Sequence, residues 1–448
     1  MDNVLDPLDQ LIFVAERAMG IESIPQFFWV YNRPVDIDGL RKFHHYLNWG
    51  RLSRRIERSP LRFGRHRWVS PEGPSELETV ATPRPRAELD AWLEEQATTR
   101  PIDAEHGPGW HLAVLPFTDG GAAVSLAISH SIADGLGSLE AIADAADGRD
   151  APIDWPTAAS RRRWQAVRED ARQTMCDIPA LGRGTVAAVR LARHARREGG
   201  GGASFTKPLE LPAGADEPLM LPKATVFIDA DEWRKRAHTL GGTSNALLMG
   251  LTARVAQRMG RVTADGLVLM RMAVKDRAAT GDTRANAATN LTLTVDPTRA
   301  TTDLREIRAS VKQALISHQE TRDDERAMTS LAPLLGLLPK RLVRLVDNTA
   351  VSSNVGVVNP AVIRADGTDA DLWAGRLFHR GVTKALMHRV GGALYVVSGT
   401  ALGQVFVSAT AYQPGYTNSN DSLRQDVSKA LDDLSLAGTY IGPPPITH

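Results

Sequence analysis

The residues Ala123-Val124-Ser125-Leu126-Ala127-Ile128-Ser129-His130-Ser131-Ile132-Ala133-Asp134-Gly135 decide how this chain is read. Val124, Leu126 and Ile128 alternate with smaller residues, the period of a half-buried strand. Residues 136–143 then open a short helix. His130 therefore stands where a strand ends, and a tight turn containing Asp134 and Gly135 leads into the helix. Gly135 suits a backbone position that a side chain would obstruct. An imidazole held there can act as a general base near neutral pH, because free histidine titrates at about 6.5. Asp134, four residues on, fixes the loop or the imidazole. The same residues also make an ordinary structural turn, since catalysis needs a geometry and not a residue type.

Upstream, residues 24–31 read as a strand and residues 36–49 as a helix, with Leu40, Phe43, His44 and Leu47 at helical spacing. His44 and His45 are adjacent, but nothing nearby completes a metal site, so they read as surface or packing residues. Residues 61–69 form a hairpin arm and 87–98 a helix. Residues 110–115 form a strand that turns at Asp119-Gly120-Gly121 into the strand before His130. Trp68 and Trp110 read as core residues.

Downstream, residues 151–222 break the rhythm. Pro152, Pro156, Pro179, Gly182, Gly184 and the glycines at 199–202 predict a linker with helical stretches. Arg161, Arg162, Arg163, Arg190, Arg193, Arg196 and Arg197 make it basic, and Val186, Val189 and Ala192 lend it amphipathic character. It reads either as a solvated crossover or as a surface for anionic lipid or for CoA and carrier phosphates.

A second rhythm starts near Lys223. Residues 224–228 read as a strand, 231–240 as a helix, and Thr243-Ser244 caps a helix whose core stripe is Leu247, Leu251, Val255 and Met259. Asn245 falls in its first turn. Residues 267–277 carry Arg271 and Arg277, and Asn290 precedes a strand at 291–295. Residues 303–306 have capping-box spacing. Residues 331–346, apolar and then basic, pack on the core, lie on a membrane or line an acyl tunnel. In Val351-Ser352-Ser353-Asn354-Val355-Gly356, polar groups at a strand end either donate hydrogen bonds to a developing oxyanion or satisfy their own turn. Strands at 393–397 and 404–411 and a helix at 421–436 close the pattern.

At 448 residues the chain is long enough for two domains with separate cores. Its hydrophobic and charged fractions, 43% and 23%, are those of a globular protein. A net charge of +1 gives no global reason to expect nucleic acid as a partner. The single cysteine, Cys176, rules out an intramolecular disulfide, fits a reducing compartment and sits in no nucleophile motif. No secretory signal and no apolar run of about 18 residues is evident. The expectation is a cytoplasmic protein, with peripheral membrane contact left open.

The His130-x-x-x-Asp134-Gly135 pattern resembles the HHxxxDG motif of the CoA-dependent acyltransferase superfamily. That group includes chloramphenicol acetyltransferases, plant BAHD enzymes, peptide-synthetase condensation domains and wax ester synthase/diacylglycerol acyltransferases. His130 matches the family's general base and Asp134 its structural aspartate, while Ser129 replaces the first histidine. The opening Pro7-Leu8-Asp9, the arm ending in Trp68-Val69 and the Pro108-x-Trp110 segment resemble the wax ester synthase/diacylglycerol acyltransferase branch. So do Thr243-x-Asn245, the arginine-bearing strand, the Asn290 position and Ser353-Asn354, although the last has a shorter spacing and Thr289 stands where the branch has glycine.

The resemblance implies two α/β, chloramphenicol-acetyltransferase-like domains, each a central mixed sheet flanked by helices, with an active-site channel between them. Residues 1–150 would form the half carrying the histidine motif, 151–222 the crossover and 223–448 the second half. It also implies direct acyl transfer from acyl-CoA to a hydroxyl or amine, without acyl-enzyme, metal or resident cofactor. His130 would be the base, and Ser129, Ser353 and Asn354 the polar groups of the site. Asn245, Asn290, Arg271 and Arg277 would bind substrate, with Arg271 or Arg277 pairing to Asp134. Three alternatives stand beside this: a stand-alone condensation-type enzyme taking its acyl group from a carrier protein, a specialised-metabolite acyltransferase with a small polar acceptor, and an inactive scaffold of the same fold.

Overall fold

The computed structural model describes residues 3–73, 75–149, 152–197, 214–277, 282–335 and 349–441. The first part runs α1 (Pro7–Met19), β1 (Glu22–Tyr31), α2 (Ile37–Trp49), β2 (Arg55–Glu57), β3 (Arg67–Val69) and β4 (Leu77–Thr79). It continues with α3 (Leu89–Thr99), β5 (Trp110–Pro116), β6 (Ala122–Ile128), α4 (Gly135–Ala146) and α5 (Arg163–Arg197). Next come β7 (Lys223–Asp229), α6 (Ala230–Thr239), α7 (Ser244–Arg258), β8 (Val268–Lys275), β9 (Ala288–Val295), α8 (Arg305–Thr329) and α9 (Ala332–Leu335). The chain then forms β10 (Ala350–Val357), β11 (Leu372–Arg380), α10 (Lys384–Val390), β12 (Ala393–Ala401), β13 (Gln404–Tyr412), α11 (Asn420–Asp433) and β14 (Thr439–Tyr440).

Helix starts follow local chemistry. Asp6, Asp36, Asp134, Asp229 and Thr243 each accept a backbone N–H of the first turn they precede. The spacing at 303–306 does not make a capping box: Leu304 occupies the cap of α8, and Asp303 accepts the Arg305 N–H from outside it.

The strands form two large sheets. One has the order β11-β1-β6-β5-β4, the other β14-β7-β13-β12-β10-β8-β9. The architecture is thus two α/β lobes, each with a mixed sheet, as the sequence indicated. The chain does not divide at residue 222, however. β11 comes from the second half yet pairs along nine residues with β1 of the first sheet.

In the second sheet one face is apolar and packs beneath α6, α7 and α11, with Leu247, Leu251, Val255 and Met259 all buried in that core. The opposite face meets the first lobe, where Phe406 packs edge-on against Trp373 of β11. Strand alternation puts Ser353, Tyr395, Arg271 and Asn290 on this second face.

The segment expected as a linker is, over 163–197, a single 35-residue helix. Pro179 removes only one ladder bond, on the exposed side. Gly184 has a packing reason: a Cβ there would stand 2.6 Å from the Ala327 carbonyl of α8, so glycine lets the two helices meet closely. Ser330 Oγ reinforces the contact by donating to the Ala180 carbonyl at 2.9 Å. Of the apolar-then-basic stretch 331–346, residues 336–346 lie outside the described residues. His44 packs edge-on against Trp110 and its Nε2 lies 3.2 Å from Ser75 Oγ.

Candidate active site

The loop after β6 is fixed by backbone pairing that runs past the strand. The Ser129 N–H donates to the Gly109 carbonyl at 2.8 Å, and the His130 N–H donates to the Ser23 carbonyl at 2.9 Å. Ser131 Oγ donates to one oxygen of Glu16 at 2.7 Å, and the other oxygen accepts the Ser23 N–H. Ser129 is buried, while the His130 side chain is half-buried. His130 Nδ1 is enclosed and bonds to no described protein group.

The hydrogen bonds of the Asp134 carboxylate go elsewhere than to that imidazole. Its Oδ1 accepts the Gly137 N–H at 2.6 Å and Arg277 Nη2 at 2.8 Å, and its Oδ2 accepts the Ala287 N–H at 2.8 Å. The Asp134 N–H donates to the Ala285 carbonyl. Arg277 also holds the Arg284 and Ala285 carbonyls. The Arg277 and Asp134 side chains are only 1% and 8% exposed, so this ion pair is desolvated and compensated by hydrogen bonds on both partners. Of the two arginines the sequence left open, Arg277 is the partner, and Arg271 is exposed on β8.

The steric constraint expected at Gly135 is found two residues later. A Cβ at Gly135 would meet only Val355 Cγ1, at 3.8 Å, an ordinary contact. At Gly137 it would lie 2.9 Å from Arg277 Nη2 and 3.1 Å from Asp134 Oδ1. The ion pair, not the turn, demands the glycine.

Beneath this clamp lie residues whose roles the sequence reading missed. Asp9, fully buried, accepts the N–H groups of Ala285 and Asn286 at 3.0 and 2.7 Å, and Asn286 Nδ2 at 3.2 Å. Asn286 Nδ2 also reaches the His130 carbonyl at 3.3 Å. Arg54 donates to the Ile132 and Thr283 carbonyls and stacks over Trp68 at 4.3 Å. Burial pushes Asp9 up to about 6, against the pull of Arg54, and burial pushes Arg54 down to about 9. The segment 282–287, between β8 and β9, is therefore laced to α1, to the His130 loop and to Asp134. Asp9 belongs to the Pro7-Leu8-Asp9 opening, but its partners Ala285 and Asn286 stand 276 and 277 residues away.

On the second lobe the polar strand end divides by alternation. Asn354 points toward α7: its Nδ2 donates to Asn245 Oδ1 at 2.7 Å, and its Oδ1 accepts the Gly356 N–H at 2.9 Å. Ser353 points the other way, toward the first lobe. Val355 brings this strand end against the start of α4. Arg271 and Asn290 are exposed on the same face as Ser353, Asn290 on the edge strand β9.

A second histidine joins the site without any motif. His130, Ser23 and His379 form one row across β6, β1 and β11, since Ser23 pairs with His379 and receives the His130 N–H. His379 is buried and stacks on Tyr395 of β12 at 4.7 Å. Burial, with His130 nearby, pushes it down to about 4, so it is neutral at pH 7.

No protein-family model and no curated protein sequence matches the chain. Solved structures of similar fold do. The condensation domain of the Monacolin K polyketide synthase MokA aligns with a TM-score of 0.56 at 11% identity, over 97% of each chain. A point variant of the starter condensation domain of rhizomide synthetase RzmA, in complex with C8-CoA, aligns at 0.54 and 13% identity, over 100% of this chain and 98% of that one. The nonribosomal peptide synthetase FmoA3 aligns at 0.54 and 17% identity over all of this chain, which spans 46% of that longer protein. At such identities the likeness is one of fold. The chain has the two-lobed condensation-domain fold, with His130 at the junction of its lobes.

Proposed function

We propose that this protein is an acyltransferase that moves an acyl group from a thioester to a hydroxyl or amine, with His130 as general base. The observation that carries this reading is a half-exposed imidazole on a loop locked across both lobes by Asp134–Arg277. The acceptor gives its proton to His130 and attacks the thioester carbonyl. The carbonyl oxygen becomes an oxyanion, and its collapse expels the thiol, which takes the proton back from His130. Asp134, with both oxygens occupied, holds the loop and takes no proton. Ser353 faces the first lobe and is the better placed oxyanion donor, because Asn354 is committed to Asn245 and Gly356. Such a donor is typically worth about 3–4 kcal/mol. The step draws on no resident cofactor; the thioester is a co-substrate. The sequence resemblance favours acyl-CoA as donor and ester formation of the wax ester synthase/diacylglycerol acyltransferase kind.

A second reading takes the acyl group from a carrier-protein thioester; the likeness to synthetase condensation domains is common to both readings. The test is acceptor-dependent thiol release with acyl-CoAs of several lengths and a panel of alcohols, amines and diacylglycerol, with His130→Ala alongside. Release lost in His130→Ala supports the acyl-CoA reading. Release that survives it refutes the assignment of the base. Transfer only from an acylated carrier protein selects the second reading, and silence with both donors leaves an inactive scaffold of this fold.

A further inference from the structure

Helix α5 presents an apolar face to solvent. Trp164, Met175 and Ile178 are 59%, 69% and 59% exposed, and Val167, Val186 and Val189 are exposed as well. These six recur with alternating spacings of 3 and 8 residues. At 100° per residue they fall within a sector of about 100°, so they form one straight stripe. It spans residues 164–189, about 38 Å of a helix about 50 Å long.

Charge on this helix is sorted around the stripe. Arg168, Arg172, Arg183 and Arg193 are exposed and lie within or along one edge of it, and Arg190, also exposed there, reaches Asp324 of α8 at 3.4 Å. The three acids of the helix lie elsewhere and are taken by arginines. Asp170 is buried against Arg67 and Arg161, Glu169 pairs with Arg161 at 3.4 Å, and Asp177 lies 3.7 Å from Arg65. On its other side the stripe borders an apolar cleft of about 290 Å³ formed by Thr174 and Leu181 with Phe63, Pro333 and Leu334.

We propose that the outer face of α5 docks on an anionic lipid surface. An exposed apolar stripe edged by arginines, with the acids of its own helix turned away from it, is complementary to acyl chains beneath anionic headgroups. A protein partner would have to match a row of cations beside an apolar strip over most of the helix length, which a lipid surface offers without any specific fit. The docked helix lies in the interface plane; among the described residues no helix is long and apolar enough to cross a membrane.

The test is co-sedimentation of the whole protein with vesicles of phosphatidylcholine alone and of equal parts phosphatidylcholine and phosphatidylglycerol. Two variants go beside the wild type, Met175→Glu/Ile178→Glu and Arg168→Glu/Arg172→Glu/Arg183→Glu. Thermal unfolding midpoints confirm that both fold. The expected result is binding to the anionic vesicles that weakens with salt and falls by about tenfold or more in partition in each variant; one arginine near such a surface is worth about fivefold. The proposal is overturned by absence of binding to anionic vesicles, or by binding that both variants retain. It is equally overturned by a wild-type dimer that Met175→Glu/Ile178→Glu splits without any vesicle binding, because the stripe is then a contact between copies. None of these readouts depends on acyl transfer.

Discussion

The clamp around His130 and the outer face of α5 sort charge and apolar surface in opposite ways. In the clamp, Asp134, Arg277, Asp9 and Arg54 are buried, and each is met by several hydrogen bonds from segments far apart in the chain. On α5, large apolar side chains are exposed and the arginines beside them face solvent. Buried ions cost desolvation and return geometry, because each must find its partners in one arrangement. Exposed apolar groups cost little in the fold and return affinity for whatever covers them. The contrast separates residues that hold a shape from residues that await a surface.

Removing one partner of the clamp should give the largest effect. Arg277→Ala leaves the Asp134 carboxylate buried and unpaired and should destabilise the protein by about 3–5 kcal/mol in a denaturant titration. Asp134→Asn/Arg277→Met should recover much of that loss; a double variant no better than the single would break the claim that the uncompensated charge is the cause.

His379 sharpens the same point through pH. The unfolded imidazole binds its proton near pH 6.5 and the folded one only near 4. Between those values the unfolded chain holds more protons, so stability falls as pH drops from about 6.5 to about 4 and is unaffected by this group above. The effect at pH 4 is at most about 3 kcal/mol. His66, pushed down to about 4 by burial, adds a slope of the same sign. The measure is therefore the difference between wild type and His379→Phe, which should lose part of the acid sensitivity while keeping a ring on Tyr395. Identical pH profiles would remove His379 from the account.

Two glycines give a smaller and opposed pair. Gly137→Ala pushes a methyl against the Asp134–Arg277 pair and should cost about 1–3 kcal/mol. Gly135→Ala meets open contact and should be neutral or slightly stabilising, as alanine favours the helix by up to about 1 kcal/mol. On α5, Met175→Glu should move stability by less than about 0.5 kcal/mol, since the residue is largely exposed.

Much of this was legible in the sequence where the signal is local. The strand before His130, the cap at Thr243 and the stripe on α7 each follow from periodicity or a single side-chain bond. Proline and glycine misled at α5, because Pro179 sits on the exposed side and Gly184 serves a helix contact that no window of sequence contains. The Arg271–Arg277 ambiguity had the same origin: both arginines lie in one stretch, and only the path of residues 282–287 across the lobes decides between them. Asp9, Asn286 and His379 were missed because their meaning depends on partners brought together by the meeting of β11 and β1 and by the segment joining β8 to β9.

The central claim is that His130 is the base of an acyl transfer. Acceptor-dependent thiol release, compared between wild type and His130→Ala at matched stability, tests it most directly. The account predicts a fall of about 10²–10⁴-fold in rate with the thermal midpoint preserved. Release undiminished in a folded His130→Ala protein would contradict it.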